Sequence, residues 1–474
     1  MPDVIETIVL DQSGEIVWRG PESNIAEVAE LTRDTWPDNS ALRMTLGDAS
    51  VPRCHRGDVM HRAEQLSMVS RHGMPEGYLA TLPAGTLFEA SVNAFNQDHL
   101  AALSVNQVDF PLVFDVASEE MGELTKYFGA QNRMFKLADH ADSMRLSYAA
   151  DPNLFAWLAR RVLDHKRLPY AVYSPQPVFR NFQSGEIDIE HRRQFTVPDI
   201  HIIAERDAAA ESYLQALSLA GESTSFWFAD DRIHQLDSVV GTEHDTDLFF
   251  RSAAAASRSV TIVRRLAKRT KYYAQKTGIM VFAGYGNLML YNLQLDDVNG
   301  PRFGVCTDSG NSVTIIHATV AMAGSRLLPA IIGRGLSGVT PPVLPPELAP
   351  SHLVLVPITQ DYARYAYSLA EPLIEQGFRV FVDQNSTRSI GARIAKIRRG
   401  WQPLYAVIGE RDVNQSPTLF CAGKPVNAEY SDYLASVTPR WRRCLPAGHF
   451  GATPPPILGS AQGLPSSAIQ TERT

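Results

Sequence analysis

Between Val178 and Glu205 the chain reads VFRNFQSGEIDIEHRRQFTVPDIHIIAE, a stretch whose residue types can bind phosphate and an amine or metal side by side. Arg180 closes one apolar run, and Arg192 and Arg193 open the next. In a hairpin these guanidiniums can converge on one polyphosphate, because the planar fork grips phosphate oxygens bidentately. Asp199 and His201 are two residues apart, so on a strand both point to the same face. An acid and an imidazole aimed together can hold an amine or a metal. The plain alternative is an exposed hairpin with scattered charges.

Those residues need elements to position them. The two β-rich segments around the polar middle at Gly185 read as strand, loop, strand. Ahead of them, ETIVLD and EIVWRG flank Gln12-Ser13-Gly14 as a hairpin, and a helical segment runs near residues 25–35. From about residue 56 the pattern predicts two strands and an amphipathic helix ending near Leu103, then a β-rich run holding Pro111, which signals an edge strand or bulge. An Ala-rich helix follows residue 206. The segment from Phe226 to Phe250 shows no clear period, and its His234 and His244 read as surface loop residues. Arg264–Lys276 and Arg393–Arg399 read as cationic helices, either solvated faces or RNA contacts. TPPVLPPELAP (residues 340–350) is a stiff Pro-rich linker. Beyond it, alternating apolar strands and helices 361–376 and 390–399 imply a β-α-β-α-β unit with a parallel sheet. Residues after 446 are rich in Pro, Gly and Ser and read as disordered.

The bulk numbers fit this organisation. At 474 residues the chain has room for about three domains. Its composition, 45% hydrophobic and 20% charged, is that of a soluble globular protein. No apolar run reaches membrane-span length, no signal-peptide pattern opens the chain, and four scattered cysteines fit a reducing cytoplasm. A net charge of -7 argues against nucleic acid as a bulk property and leaves only local basic patches to bind it.

The chain resembles a class II aminoacyl-tRNA synthetase, specifically the threonine enzyme in its archaeal form. Phe179-Arg180, Gly185-Glu186 and Arg193-x-Phe195-Thr196-x-Pro198-Asp199-x-His201 resemble that family's motif 2, and further matches extend over residues 56 to 425. His317 followed nine residues later by Arg326 resembles motif 3, and the run through Pro111 resembles motif 1, which builds a homodimer interface in the family. The resemblance implies an α+β protein. Its parts are a short extension (1–54), an antiparallel-sheet catalytic domain (55–338), the linker (339–350), a small α/β anticodon-binding-type domain (351–440) and a tail (446–474). It implies ATP-dependent activation of an amino acid, threonine favoured, and transfer to tRNA in the cytoplasm. Alternatives are a repurposed paralogue serving another amino acid or acceptor, and a non-catalytic RNA-binding or regulatory relative.

By the same resemblance, Arg180 takes the α-phosphate, Arg326 the γ-phosphate, Phe195 stacks on adenine, and Arg193 and Gln294 line the nucleotide, with Mg2+ on the phosphates. Asp199 and Tyr285 contact the amino acid. Asp151, His201 and His317 fall on the family's zinc ligands, the first replacing a cysteine, so either a metal is kept or Asp151 binds the amine directly. Other departures are Phe182 for a motif 2 acid, Ser325 for a motif 3 acid and Leu288 for a lysine. A second phosphate-binding arginine falls on His191 or Arg192, and TLFCAGKPV lacks the arginines expected of a base-reading strand.

Overall fold

The computed structural model describes residues 3–25, 27–29, 35–140, 143–269, 271–320, 323–385, 387–445 and 457–460. Its centre is a sheet of ten strands, mostly antiparallel. Seven long ones carry it: β1 (Val4–Leu10), β5 (Tyr170–Phe179), β6 (Gln194–Glu205), β7 (Arg232–Val239), β8 (Val260–Leu266), β9 (Tyr273–Phe282) and β10 (Asn287–Asp296). The sheet is completed by β2 (Ile16–Gly20), β3 (Asn106–Gln107) and β12 (Val313–Thr319). The order across the sheet is β2-β1-β8-β7-β9-β10-β12-β6-β5-β3.

Strand β6 shows why this sheet forms and how it holds two environments. Its even residues Ile200, Ile202 and Ala204 pack against helices α2 (Pro83–Leu100) and α5 (Ala209–Phe228), which cover one face. Its odd residues begin polar, with Asp199 and His201, and end with Ile203 beneath α4 (Asp151–Leu158). Period-two alternation therefore sorts core from site along one strand.

Several sequence expectations change here. The hairpin β1–β2 is no separate extension, because β1 pairs antiparallel with β8 and extends the ten-stranded sheet. The helix expected at residues 25–35 falls largely outside the described residues. Arg264–Lys276 is not a basic helix: it crosses from β8 into β9. The run VTIVRRL is β-branched and alternating, and its arginines are spent on acids, Arg264 on Asp237 (2.8 Å) and Arg265 on Asp245 (2.7 Å). Pro111 lies outside the strands, its carbonyl accepting from Asn153 at 2.6 Å. His234 is no surface residue. It is fully buried on β7, its ring nitrogens 2.9 and 2.8 Å from the hydroxyls of Thr261 and Thr277. The Pro-rich run does not hang free, since Leu344, Leu348 and Ala349 join the main hydrophobic core under the large sheet.

Past it, β13 (Leu353–Pro357), α8 (Ala363–Glu375), β14 (Val380–Val382), α9 (Ile390–Arg399) and β15 (Leu404–Ile408) form the expected unit. β13 pairs in parallel with both β14 and β15, and the antiparallel strand β16 (Leu419–Cys421) continues the sheet. The terminal helix α10 (Tyr430–Arg442) and the residue after it tie this unit to the helices that cover the large sheet. Arg440 lies 3.7 Å over the Phe226 ring and donates to its carbonyl (2.7 Å), and Arg443 bonds Asp98 at 2.8 Å while covering Phe95. Most of the expected disordered tail lies outside the described residues. The four described, Ile457–Ser460 (β18), pair antiparallel with β4 (Arg161–Leu163).

Burial holds the His234 imidazole down at about 3, from an ordinary 6.5. Within that window the unfolded chain binds a proton that the folded chain refuses, so stability falls as pH drops, by about 1.4 kcal/mol per pH unit for one such group. Urea midpoints of His234→Gln should therefore depend less steeply on pH than the wild type between about pH 6 and pH 4.

Candidate active site

The site is built on the face of the sheet that carries the odd residues of β6. His201 and His317 are register partners on β6 and β12, with ring centroids 4.9 Å apart. Asp151 enters from above, in the first turn of α4, where a helix N-terminus favours an anion. Its Oδ1 is 2.8 Å from His317 Nδ1, 3.8 Å from His201 Nε2, and accepts from the Tyr272 hydroxyl at 3.4 Å. Behind them, His317 Nε2 meets Asp296 Oδ2 at 3.0 Å. Asp296 is fully buried and also accepts from the backbone N–H groups of Val298 and Asn299 and from the Asn299 amide.

These contacts fix the charges. Burial alone would raise Asp151, but His317 and His201 outweigh it and hold the carboxyl well below its ordinary range. Burial likewise opposes charge on His317, yet Asp151 and Asp296 push it up to about 10. Asp199, opposite Thr319 and accepting from its hydroxyl at 2.7 Å, is raised by burial and by Asp151, so it has room for a cation.

The same register brings in residues that sequence spacing did not suggest. His201, His317, Gln294 and Lys276 are paired in sequence across β6, β12, β10 and β9, and directly opposed residues share a face. Gln294 thus lies in the site row as expected, and Lys276 puts a lysine there although position 288 holds leucine. Tyr272, Lys276 and Asp296 were missed because their link to His317 is across strands. Only a fixed pairing register could have shown it.

Arg180 sits beside this cluster, its Nε donating to the Tyr148 carbonyl at 3.2 Å and its guanidinium 5.2 Å from the Phe195 ring. It is lowered by burial first and by nearby Arg326, with Asp199 and Asp151 opposing. Arg326 lies just before α7 (Leu328–Ser337), its Nη1 3.2 Å from Glu190, and its Nε is buried without a hydrogen bond. Asp151, His201, His317, Asp199, Arg180, Phe195 and Gln294 are therefore gathered on one face, with Arg326 within electrostatic range of Arg180.

Three expected residues go elsewhere. Arg193 does not converge with Arg180 on a shared polyphosphate, because its Nε and Nη1 donate to the carbonyls of Phe182 (3.1 Å) and Glu76 (3.2 Å). Arg192 lines a cavity of about 390 Å³ with Glu89, Phe195 and Ser325, and it donates to the carbonyls of Ile189 (3.0 Å) and Gly324. Tyr285 is not at the amine end. It sits in the β9–β10 turn, where Gly284 (φ +81) has only the space of a hydrogen atom against the Gly333 carbonyl of α7. Its ring lies under Arg56 (5.0 Å), and its hydroxyl is buried beside Glu190. Tyr272, not Tyr285, reaches the Asp151 carboxylate, at 3.4 Å.

The donor set fits a metal. One atom each from Asp151, His201 and His317 lie within 4.8 Å of one another. His317 Nδ1 lies 2.8 Å from Asp151 Oδ1 but outside hydrogen-bond geometry, so no hydrogen bond commits the two atoms to each other. Three N/O ligands with a fourth position free is the arrangement of catalytic zinc, and Asp296 on the far nitrogen is the usual support for a ligating histidine.

Comparison with known proteins places this geometry. The fold is that of a class II synthetase. It matches the RNA binding domain of threonyl-tRNA synthetase from Cryptosporidium parvum at TM-score 0.65 and 18% identity, over 82% of this chain and 99% of that one. Prolyl-tRNA synthetase of the same organism, solved with halofuginone and AMPPNP, matches at TM-score 0.62 and 16% identity, over 81% of this chain and 76% of that one. Residues 352–420 match the family model described as an anticodon binding domain. By sequence the chain is similar to archaeal threonine–tRNA ligases. It is 23% identical over 362 residues to that of Methanococcus aeolicus and 25% over 358 residues to that of Cenarchaeum symbiosum. These alignments cover 72% and 71% of this chain and 56% of each relative, so the chain spans about half the length of the curated relatives it matches.

Because His317 carries a proton at neutral pH in the metal-free site, binding zinc must expel it. Calorimetric titration with zinc at pH 7 in buffers of differing ionisation enthalpy should register proton release, and Asp151→Asn, which lets His317 deprotonate more easily, should release less.

Proposed function

We propose that this chain activates an amino acid with ATP and transfers it to tRNA, with threonine the favoured amino acid. The observation that carries this reading is the gathering of Asp199, the Asp151–His201–His317 set and Arg180 on one face of the sheet, with Arg326 nearby. In the first step an amino-acid carboxylate oxygen attacks the α-phosphorus and the bond to pyrophosphate breaks. In the second, a ribose hydroxyl of tRNA attacks the acyl carbon and AMP leaves.

Positioning and positive charge where phosphate charge develops are what the first step needs from the protein. Arg180 holds the α-phosphate. Arg326 exchanges Glu190 for the γ-phosphate. Phe195 stacks on adenine and Gln294 lies alongside the adenylate, with Mg2+ accompanying the phosphates. Asp199 takes the substrate ammonium, the cation its buried carboxyl lacks. Asp151, His201 and His317 would hold zinc, which when bound supplies a Lewis-acid contact for an amine and a hydroxyl. A site built to engage that hydroxyl rejects an isosteric analogue without it. The 352–420 module supports tRNA as acceptor, and the motif 1 resemblance around Pro111 supports a homodimer. Among the described residues no helix is long and apolar enough to cross a membrane, which is consistent with a cytoplasmic site of action.

Two features favour a second reading, activation of another amino acid or delivery to another acceptor. Asp151 stands where the resemblance expects a thiolate, which changes metal preference. The strand pair at Leu419–Cys421 and Lys424–Pro425 carries no arginine with which to read bases.

Pyrophosphate exchange with a panel of amino acids tests the proposal. Threonine should drive exchange, and Arg180→Ala and Arg326→Ala should each slow it about 100- to 1,000-fold. Asp151→Ala should purify without the zinc that the wild type retains. Exchange with a different amino acid would select the second reading, and no exchange with any would leave a non-catalytic RNA-binding or regulatory relative.

A further inference from the structure

Lys271, which precedes Tyr272 at the entry to β9, played no part in the reading above. Its ammonium lies 4.0 Å from the centroid of the Tyr127 ring and 4.8 Å from that of Phe128, both at the end of α3 (Glu119–Ala130). Arg180 approaches the same Phe128 ring at 5.8 Å, so two cations flank one aromatic side chain. Lys276 is a third, over Tyr273 at 5.7 Å. Among the described residues no carboxylate stands within ion-pair distance of Lys271 or Lys276. Burial lowers the Lys271 ammonium to about 8, and Lys276 and Arg180 add to that, while Asp151 alone opposes it.

A charged group in aromatic surroundings is costly without a counter-charge, and ring faces offset only part of the cost. The partner Lys271 lacks is an anion. Its place in the site tells which one. Lys271 and Arg180 share the Phe128 ring, and Tyr272, the residue after Lys271, reaches the Asp151 carboxylate at 3.4 Å, whereas Arg326 is paired with Glu190. Lys271 therefore lies beside Arg180 at the end of the site that holds Asp151. With the polyphosphate running from Arg326 to Arg180, the position beyond Arg180, next to the groups that hold the ammonium, falls to the amino-acid end.

We propose that Lys271 binds the α-carboxylate of the amino-acid substrate and holds it beside Arg180 for attack on the α-phosphorus. This rests on the synthetase reading and deepens it by assigning the carboxylate a receptor that the motifs do not contain. Nothing covalent happens at Lys271. Its ammonium donates hydrogen bonds to the carboxylate oxygens, and its stem keeps its packing on Tyr127.

The test uses the full chain and two variants. Lys271→Met keeps the stem and removes the charge, and Lys271→Arg restores charge. A charge-assisted hydrogen bond lost from the substrate should raise the KM for the amino acid about 10- to 100-fold in Lys271→Met, with the KM for ATP within about twofold of wild type. Lys271→Arg should recover much of the loss. Equal changes in both KM values, or intact exchange with a defect only in acyl transfer, would overturn the assignment. In parallel, acetylation of Lys271 in the wild-type protein, followed by mass spectrometry, should slow when the activated amino acid is added and not with ATP alone. If no amino acid drives exchange, the synthetase reading fails, and the labelling decides Lys271 by itself across the same panel. Protection by none of the amino acids would overturn the proposal.

Discussion

The carboxylate of Asp151, held between two imidazoles, constrains everything around it. Burying an acid is expensive, and this one is stabilised only because His317 carries charge toward it while Asp296 supports the same ring from behind. The chain of alternating charge fixes the rotamers of groups drawn from α4, β6, β10 and β12. Taking away one member leaves the others buried and unpaired, a cost of about 3–5 kcal/mol in comparable cases. Such an arrangement is poor as a stability device and well suited to keeping a small set of ligand atoms in fixed positions.

Much of this could be read from the chain, and the limits of that reading are physical. PDIHIIA alternates cleanly, so the face shared by Asp199 and His201 was visible, as was the spacing from His317 to Arg326. Helix α9 and the parallel strands beside it follow from short, strongly periodic segments. What stayed hidden depends on pairing between strands. Asp296 and Lys276 meet the site only through the register of β9, β10 and β12, and Tyr272 displaces Tyr285 because the turn at Gly284 carries the latter to the far end. Arg264 and Arg265 resembled a cationic helix because their acidic partners, Asp237 and Asp245, lie 27 and 20 residues away. His234 was assigned to the surface for a related reason. A histidine between two threonine hydroxyls leaves no local signature.

The arginines also show how one residue type is divided among tasks. Arg193 braces a loop by donating to the carbonyls of Phe182 and Glu76, Arg192 donates to those of Ile189 and Gly324, and Arg326 is paired with Glu190. Among the described residues Arg180 makes a single side-chain hydrogen bond, to the Tyr148 carbonyl, as Arg326 does to Glu190. Identity and spacing mark where guanidiniums occur, but their surroundings decide which can turn to a ligand.

The docking of α10 has a consequence of scale. Arg440 and Arg443 are each set against an aromatic ring and bonded to helices α5 and α2, so the module holding α9 is tied at two points to the helices that cover the large sheet. A joint of that kind sets a span rather than a swing. A long, rigid molecule gripped at one end of the protein would find the other end at a constant reach, which lets the two ends together measure its shape.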